Sequence, residues 1–176
     1  MISSERIILL TNYFVYVFEV TSKTTECHFR MSILDEFIEP LKQHFEDSPL
    51  VPTKIIVNVL EEEMLFEATP HTSGPDRKKL LERKLEQHFR QSKLTRYKIQ
   101  GREADGRRDD SVIFCSLGGC EDLDAIIELL FELETPVAGI YSAPTLCKSY
   151  LEPLLDKPSV LVMSEIDNGI SERVAV

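Results

Sequence analysis

No stretch of this 176-residue sequence approaches the roughly 20 consecutive apolar residues that a membrane-spanning helix needs. The longest early candidate, Ile7 to Val20, is interrupted by Thr11, Asn12 and Glu19. Its β-branched and aromatic residues read as strand instead. Glu5 precedes it and no small-residue cleavage site follows, so it makes a poor signal peptide. The expectation is a soluble, cytoplasmic chain that inserts nothing into a membrane. Positive charge is also scarce: 20 Lys and Arg stand against 30 Asp and Glu, a formal net charge of -10. Nucleic-acid binding depends on cations that neutralise phosphates, so nucleic acid is not an expected partner. The same charge repels an anionic membrane surface.

Ligand-spaced clusters are missing too. The cysteines, Cys27, Cys115, Cys120 and Cys147, form no CxxC pair and read as small buried hydrophobes. His28, His44, His71 and His88 are scattered, with no HExxH, so no metal site is assigned. The acidic run Glu61-Glu62-Glu63 reads as a solvated turn, on which successive side chains point apart. Gly118-Gly119 follows an apolar strand and precedes a helix, the place of a phosphate cradle. Glu121, Asp122 and Asp124 crowd that helix start and would repel phosphate. A two-metal nuclease needs several carboxylates converging on the first strands, which offer only Glu19 and Glu26. No GxSxG or paired Cys/His arrangement marks a hydrolase. No catalytic, cofactor-binding or metal-binding residue is assigned, and no cofactor is expected.

What is present is a composition 43% hydrophobic and 28% charged, that of a globular α/β chain long enough to bury a core. Strands are predicted at 6–11, 13–20 and 25–31, with polar breaks at Thr11-Asn12 and Thr21-Ser22-Lys23. A helix over 33–46 places Leu34, Phe37, Ile38, Leu41 and Phe45 on one face, although Pro40 should kink or restart it. A strand pair, 54–60 and 64–69, comes next. Pro70 to Pro75 looks like a boundary, and Pro75 suits a first helical position. The following helix carries Leu80, Leu81, Leu85 and Phe89 inward, and Arg77-Lys78-Lys79 with Arg83-Lys84, beside Glu82 and Glu86, as a solvated face. A strand at 96–102 and a charged loop around Gly106 precede the apolar 111–117, read as a central buried strand. The helix 121–133 shows Leu123, Ile126, Ile127, Leu130 and Phe131 at helical spacing. Val137 to Tyr141 is a strand, and Pro144 opens a helix bearing Leu146, Cys147, Tyr150, Leu151 and Leu154. Residues 159–166 and 170–176 read as a hairpin turning at Asn168-Gly169. Ending on a strand, the chain is expected to be a piece of a longer protein.

From Lys54 to Pro144 the sequence has a strand pair ending in Ala68-Thr69-Pro70 and a helix around Lys79-Leu80-Leu81-Glu82-Arg83-Lys84-Leu85. Thr135-Pro136-Val137-Ala138-Gly139-Ile140 then leads into Pro144 and Leu146. In this order the chain resembles the first half of an actin-like (ribonuclease H-like) fold. It is similar in pattern to the PilM family of type IV pilus assembly, to FtsA and to the cytoplasmic domain of GspL of type II secretion. The resemblance implies a ribonuclease H-like half with a mixed sheet and a small inserted α/β subdomain. The main lobe would be 1–68 plus 136–158, the insert 69–135, and 159–176 the start of a second lobe or a terminal hairpin.

The departures from that pattern bear on activity. Actin-like ATPases hold phosphates with two glycine-containing hairpins, each led by an aspartate. Glycine lets backbone N–H groups approach the phosphates, and the aspartate organises magnesium. The first hairpin here is Leu10-Thr11-Asn12-Tyr13-Phe14-Val15, without Asp or Gly. The second, Met163 to Gly169, keeps Asp167 and Gly169 but no glycine cluster, and reads as an ordinary turn. The implied function is a non-catalytic bacterial scaffold at the inner face of the inner membrane. It would dock an assembly ATPase or an inner-membrane partner. The alternative is an active actin-like ATPase completed by a missing second lobe.

The cysteine spacing generates a first prediction. Thiol titration of the unfolded chain should return all four cysteines as free thiols, and elemental analysis no stoichiometric zinc. A disulfide or one zinc per chain would contradict it.

Overall fold

The computed structural model describes residues 5–90, 92–102 and 108–146, and the backbone of two further strands at 160–166 and 169–175. In chain order the elements are β1 (Glu5–Thr11), β2 (Phe14–Val20), β3 (Thr25–Ser32), α1 (Ile38–Glu46), β4 (Thr53–Asn58), β5 (Glu62–Pro70), α2 (Pro75–His88), β6 (Leu94–Arg102), β7 (Asp109–Leu117), α3 (Glu121–Glu132), β8 (Val137–Ser142), β9 (Val160–Ile166) and β10 (Gly169–Ala175). The chain divides into two compact units, Met1–Val59 with Glu121–Val176, and Leu60–Cys120.

The first unit holds a five-stranded mixed sheet in the order β3-β2-β1-β4-β8. β1, β2 and β3 form an antiparallel meander, and β4 and β8 run parallel to β1. Alternation selects the buried face. Arg6, Ile8 and Leu10 of β1, Val15 and Val17 of β2, and Thr53, Ile55 and Val57 of β4 are buried, and the residues between them are half-exposed. Phe37, Leu41 and Phe45 at α1 and Leu123, Ile126, Leu129 and Leu130 of α3 complete this core, and the two helices touch. A fully buried side chain of this kind contributes about 1.5–3 kcal/mol of transfer free energy.

Two helix readings are corrected. α1 begins at Ile38, not near residue 33, and Leu34 is 88% exposed. Pro40 therefore falls in the first turn, where a missing N–H costs nothing, and marks the helix start rather than a kink. On α3 the buried arc runs through Ile126, Leu130, Leu123 and Leu129, and Phe131 is 85% exposed. At about 100° per residue, Phe131 lies well off the arc centred on Ile126 and Leu130.

The second unit is a three-stranded antiparallel sheet, β5-β7-β6, with α2 on one face. Leu81 and Leu85 of α2 pack with Val112 and Phe114 of the central strand, and Phe89, Tyr97 and Ile99 extend the cluster. β7 is central, as its apolar run implied. The expected pairing of β4 with β5 does not occur, because the chain leaves the first sheet at Leu60 and β5 pairs with β7. Pro70 ends β5 and Pro75 opens α2, so the proline-marked break at 70–75 is a strand–helix connection inside this unit. α3, expected with the insert, belongs to the first unit. Glu62 and Glu63 are strand residues, and of the acidic run Glu61 alone stays in the turn. The helix expected from Pro144 starts at residue 143; its positions from Cys147 onward lie outside the described residues. β9 and β10 pair as the expected hairpin.

Among the described residues, Arg6 is the one charged side chain in the first unit's core, only 1% exposed. Its guanidinium donates to Glu19 Oε1 at 3.2 Å and to the Pro49 carbonyl at 3.2 Å, and its Cζ lies 4.8 Å from the Phe45 ring centre. It thereby joins β1, β2, α1 and the turn after α1. Glu19→Ala would leave that cation with the carbonyl and ring alone, and is expected to lower unfolding free energy by about 1–3 kcal/mol. Arg6→Met, which needs no counterion, should cost less than Arg6→Ala. Urea denaturation of the three variants decides it, and a Glu19→Ala midpoint equal to wild type would sink the assignment.

Candidate functional site

The β1–β2 turn, where an actin-like phosphate hairpin would sit, is closed by its own threonine. Thr11 Oγ1 accepts the N–H of Tyr13 at 3.3 Å and of Phe14 at 3.0 Å, and donates to the Phe14 carbonyl at 3.1 Å. The Tyr13 carbonyl accepts the N–H of Ile33 at 2.9 Å. The amides that glycines would turn toward an anion are thus bonded inside the turn, and Tyr13 stands half-exposed over it. Beyond the turn, Phe14, Tyr16 and Phe18 line the half-exposed face of β2 at ring separations of 6.0 and 5.9 Å. Arg30, opposite Tyr16 on β3, sits 4.1 Å from the Phe14 ring centre and donates from Nε to the Tyr16 hydroxyl at 3.3 Å. This is a cation-capped aromatic ladder. Asp167 of the second hairpin lies outside the described residues, and Gly169 opens β10.

The other sequence candidates are placed as follows. A Cβ on Gly118 would meet Ser92 at 3.1 Å, and Gly119 has a φ of 73°. Ser92 Oγ donates to the Leu117 carbonyl at 3.0 Å, so this glycine pair serves a close chain approach and a left-handed turn. Glu19 neutralises Arg6; Glu26, directly opposite it, is exposed beside His28. Cys27 is exposed, contrary to its reading as a buried hydrophobe, because β3 is an edge strand with an open outer face. Cys115 is half-buried, and burial pushes its thiol pKa up. His44 lies among Phe29, Phe45 and Arg6, where desolvation first and the Arg6 charge second lower its pKa. Among the described residues no three His, Cys, Asp or Glu side chains converge as metal ligands.

Two carboxylates that sequence reasoning did not single out anchor α2 to its sheet. Asp110, 5% exposed, takes His71 Nδ1 at 3.1 Å and Arg77 at 2.6 Å. Burial alone raises its pKa, but the hydrogen bonds and charge of His71 and Arg77 outweigh that and hold it below the usual carboxylate range. Glu67 takes Lys84 through one oxygen and His88 Nε2 at 3.0 Å through the other. The Lys84 hydrogen bond is the main cause of its lowered pKa, against burial and with help from His88. Arg77 and Lys84 are therefore turned to the sheet and are not part of a uniformly solvated face. Alternation could have revealed this: Glu67 and Thr69 of β5 and Asp110 of β7 fall on the face that α2 covers. An open cleft of about 420 Å³ beside them, lined by Glu63, Met64, Leu65, His88 and Phe89, gathers no nucleophile–base pair.

Charge is segregated between the units. Of the chain's 20 Lys and Arg, 12 fall between Leu60 and Cys120, with 11 of its 30 Asp and Glu; that stretch is formally +1 and the remainder -11. Arg90, Lys93, Arg96, Lys98 and Arg102 occur with no Asp or Glu among them. All five are exposed, and the last three lie on β6.

A Bacteroides thetaiotaomicron protein with an actin-like ATPase fold and unknown function matches 98% of this chain at 12% identity, with a TM-score of 0.56. The fold is actin-like. A chain of a PilM–PilN type IV pilus biogenesis complex matches 95% of it at 11% identity, with a TM-score of 0.59. The cytoplasmic domain of EpsL, an inner-membrane component of the Vibrio cholerae type II secretion system, matches 79% of this chain and 57% of its own at 12% identity. Its TM-score of 0.40 is too low to bear on the fold. The chain spans 65% and 60% of the first two structures, and identities this low establish the fold alone. No protein-family model matches the sequence, and no curated protein does.

Asp110 and Glu67 titrate below their ordinary values in the folded chain, so what they contribute is fully present at neutral pH. It is lost as pH falls through the folded values, below about pH 4. Asp110→Asn is expected to cost about 1–3 kcal/mol at neutral pH and to flatten the acid limb of the stability curve. Urea midpoints measured across the acid range test this, and an unchanged acid limb in the variant would remove Asp110 from the anchor.

Proposed function

We propose that this chain is a non-catalytic actin-like scaffold domain of a type IV pilus or type II secretion assembly platform. It works at the cytoplasmic face of the inner membrane by docking an assembly ATPase or an inner-membrane partner. The observation that carries the non-catalytic part is the self-closed β1–β2 turn, in which Thr11 occupies the amides of Tyr13 and Phe14. A triphosphate needs backbone donors, a metal and a cation in its cleft. This turn supplies no aspartate, no glycine and no unbonded Tyr13 or Phe14 amide. The match to a chain of the PilM–PilN complex supports the assembly setting.

Calorimetry of the longest natural form of the protein should give no ATP–magnesium binding at millimolar nucleotide, and deleting the gene should impair piliation or secretion. Tight ATP binding that is abolished by substituting Asp167 would overturn the scaffold reading in favour of an ATPase completed by a second lobe.

A further inference from the structure

We infer that the free edge of β6 is a docking strand for an extended, acidic segment of a partner protein, which adds to the β5-β7-β6 sheet as a fourth strand. This names the surface and partner chemistry for the scaffold reading and rests on that reading. β6 is nine residues long and pairs with β7 alone in the three-stranded sheet, so its other edge carries backbone donors and acceptors with no strand partner among the described residues. Register assigns its side chains to faces. Tyr97 and Ile99 lie opposite Phe114 and Val112 and join the core under α2. Arg96 and Lys98 lie opposite Cys115 and Ile113 on the other face, in rows completed by Met64 and Phe66 of β5. Phe66 is 52% exposed there, and Arg96, Lys98 and Arg102 form no ion pair among the described residues.

The local sign is opposite to that of the chain. A strand carrying three cations and no acid, on a protein of net charge -10, selects a segment with carboxylates at alternate positions and apolar residues between them. Charged residues on an edge strand also deter unwanted pairing. That role needs one or two charges of either sign, whereas here five cations run from Arg90 to Arg102 beside exposed apolar surface. A second copy of the chain is disfavoured by the repulsion between two molecules of net charge -10. Single-stranded nucleic acid would need a stacking platform beside the cations. The one aromatic of β6, Tyr97, is instead committed to Phe114 at 6.5 Å between ring centres.

The probe is a synthetic peptide alternating valine and glutamate, with its valine–lysine counterpart and a single-stranded oligonucleotide as comparators. Titrated into the full chain at low ionic strength, the acidic peptide should shift the backbone amide NMR signals of β6 and slow their hydrogen exchange. Its affinity should fall as salt rises. The valine–lysine peptide should not bind. Arg96→Glu/Lys98→Glu should weaken binding by about tenfold or more, and Arg96→Ala/Lys98→Ala by less. Both side chains are exposed, so circular dichroism should show the fold retained. The inference is overturned by signal changes away from β6, by affinity indifferent to charge reversal, or by tighter binding of the oligonucleotide. A chain that self-associates through β6 would overturn it too. Loss of the peptide result without ATP binding removes this surface and leaves the scaffold reading intact. ATP binding removes the scaffold reading and leaves the peptide result standing.

Discussion

A guanidinium with 1% exposure organises the first unit. Arg6 occupies the first inward position of β1, where alternation would otherwise call for an aliphatic residue like Ile8 and Leu10. A buried cation needs a counterion and hydrogen-bond acceptors. Glu19 on β2 meets that need from one side, and the Phe45 ring on α1 with the Pro49 carbonyl just after it from the other. A slip of one residue between β1 and β2 would carry Glu19 to the other face and leave the charge unpaired. The same slip would carry Val15 and Val17 out of the core, so the ion pair and the apolar pattern specify one register. The Thr53 N–H to Pro136 carbonyl bond at 2.9 Å then ties β8 to β4 at the same end of the sheet.

At the opposite end of β1 the chain has used a small polar side chain where an actin-like ATPase uses glycine. Thr11 turns the hairpin by satisfying two amides internally, so turn stability and anion binding compete for the same donors. That competition links the local structure to the functional reading: the turn is closed and carries Tyr13, and the neighbouring surface is an aromatic ladder under Arg30.

Legibility in the sequence followed the range of the interactions involved. The apolar runs of β1 and β7 and the helical spacing of α2 made these elements readable to within a few residues. The buried arc of α3 was misplaced because Ile127 and Phe131 are as apolar as Leu129 and only the sheet decides which side is inward. The switch from one sheet to the other at Leu60 has no proline or glycine to announce it. The 70–75 segment has both, and they serve the start of α2. His71, Arg77 and Asp110 were invisible as a group, because 33 residues separate Arg77 from Asp110 and only the β5–β7 pairing brings them together. The charge segregation, by contrast, was there to be read: it needed the cations counted by segment rather than over the whole chain.

The division at Leu60 and Cys120 also shapes how the chain can acquire its structure. Thr53 of β4 is registered against Val137 of β8, so the parallel pair joins residues 84 positions apart. Closing a loop of that length costs entropy before any pairing repays it. The second unit lies wholly inside that loop and is built from sequence-local antiparallel contacts. Once it has condensed, it shortens the effective tether between β4 and β8. Its own compactness therefore helps to set the speed at which the larger sheet gains its last parallel strand.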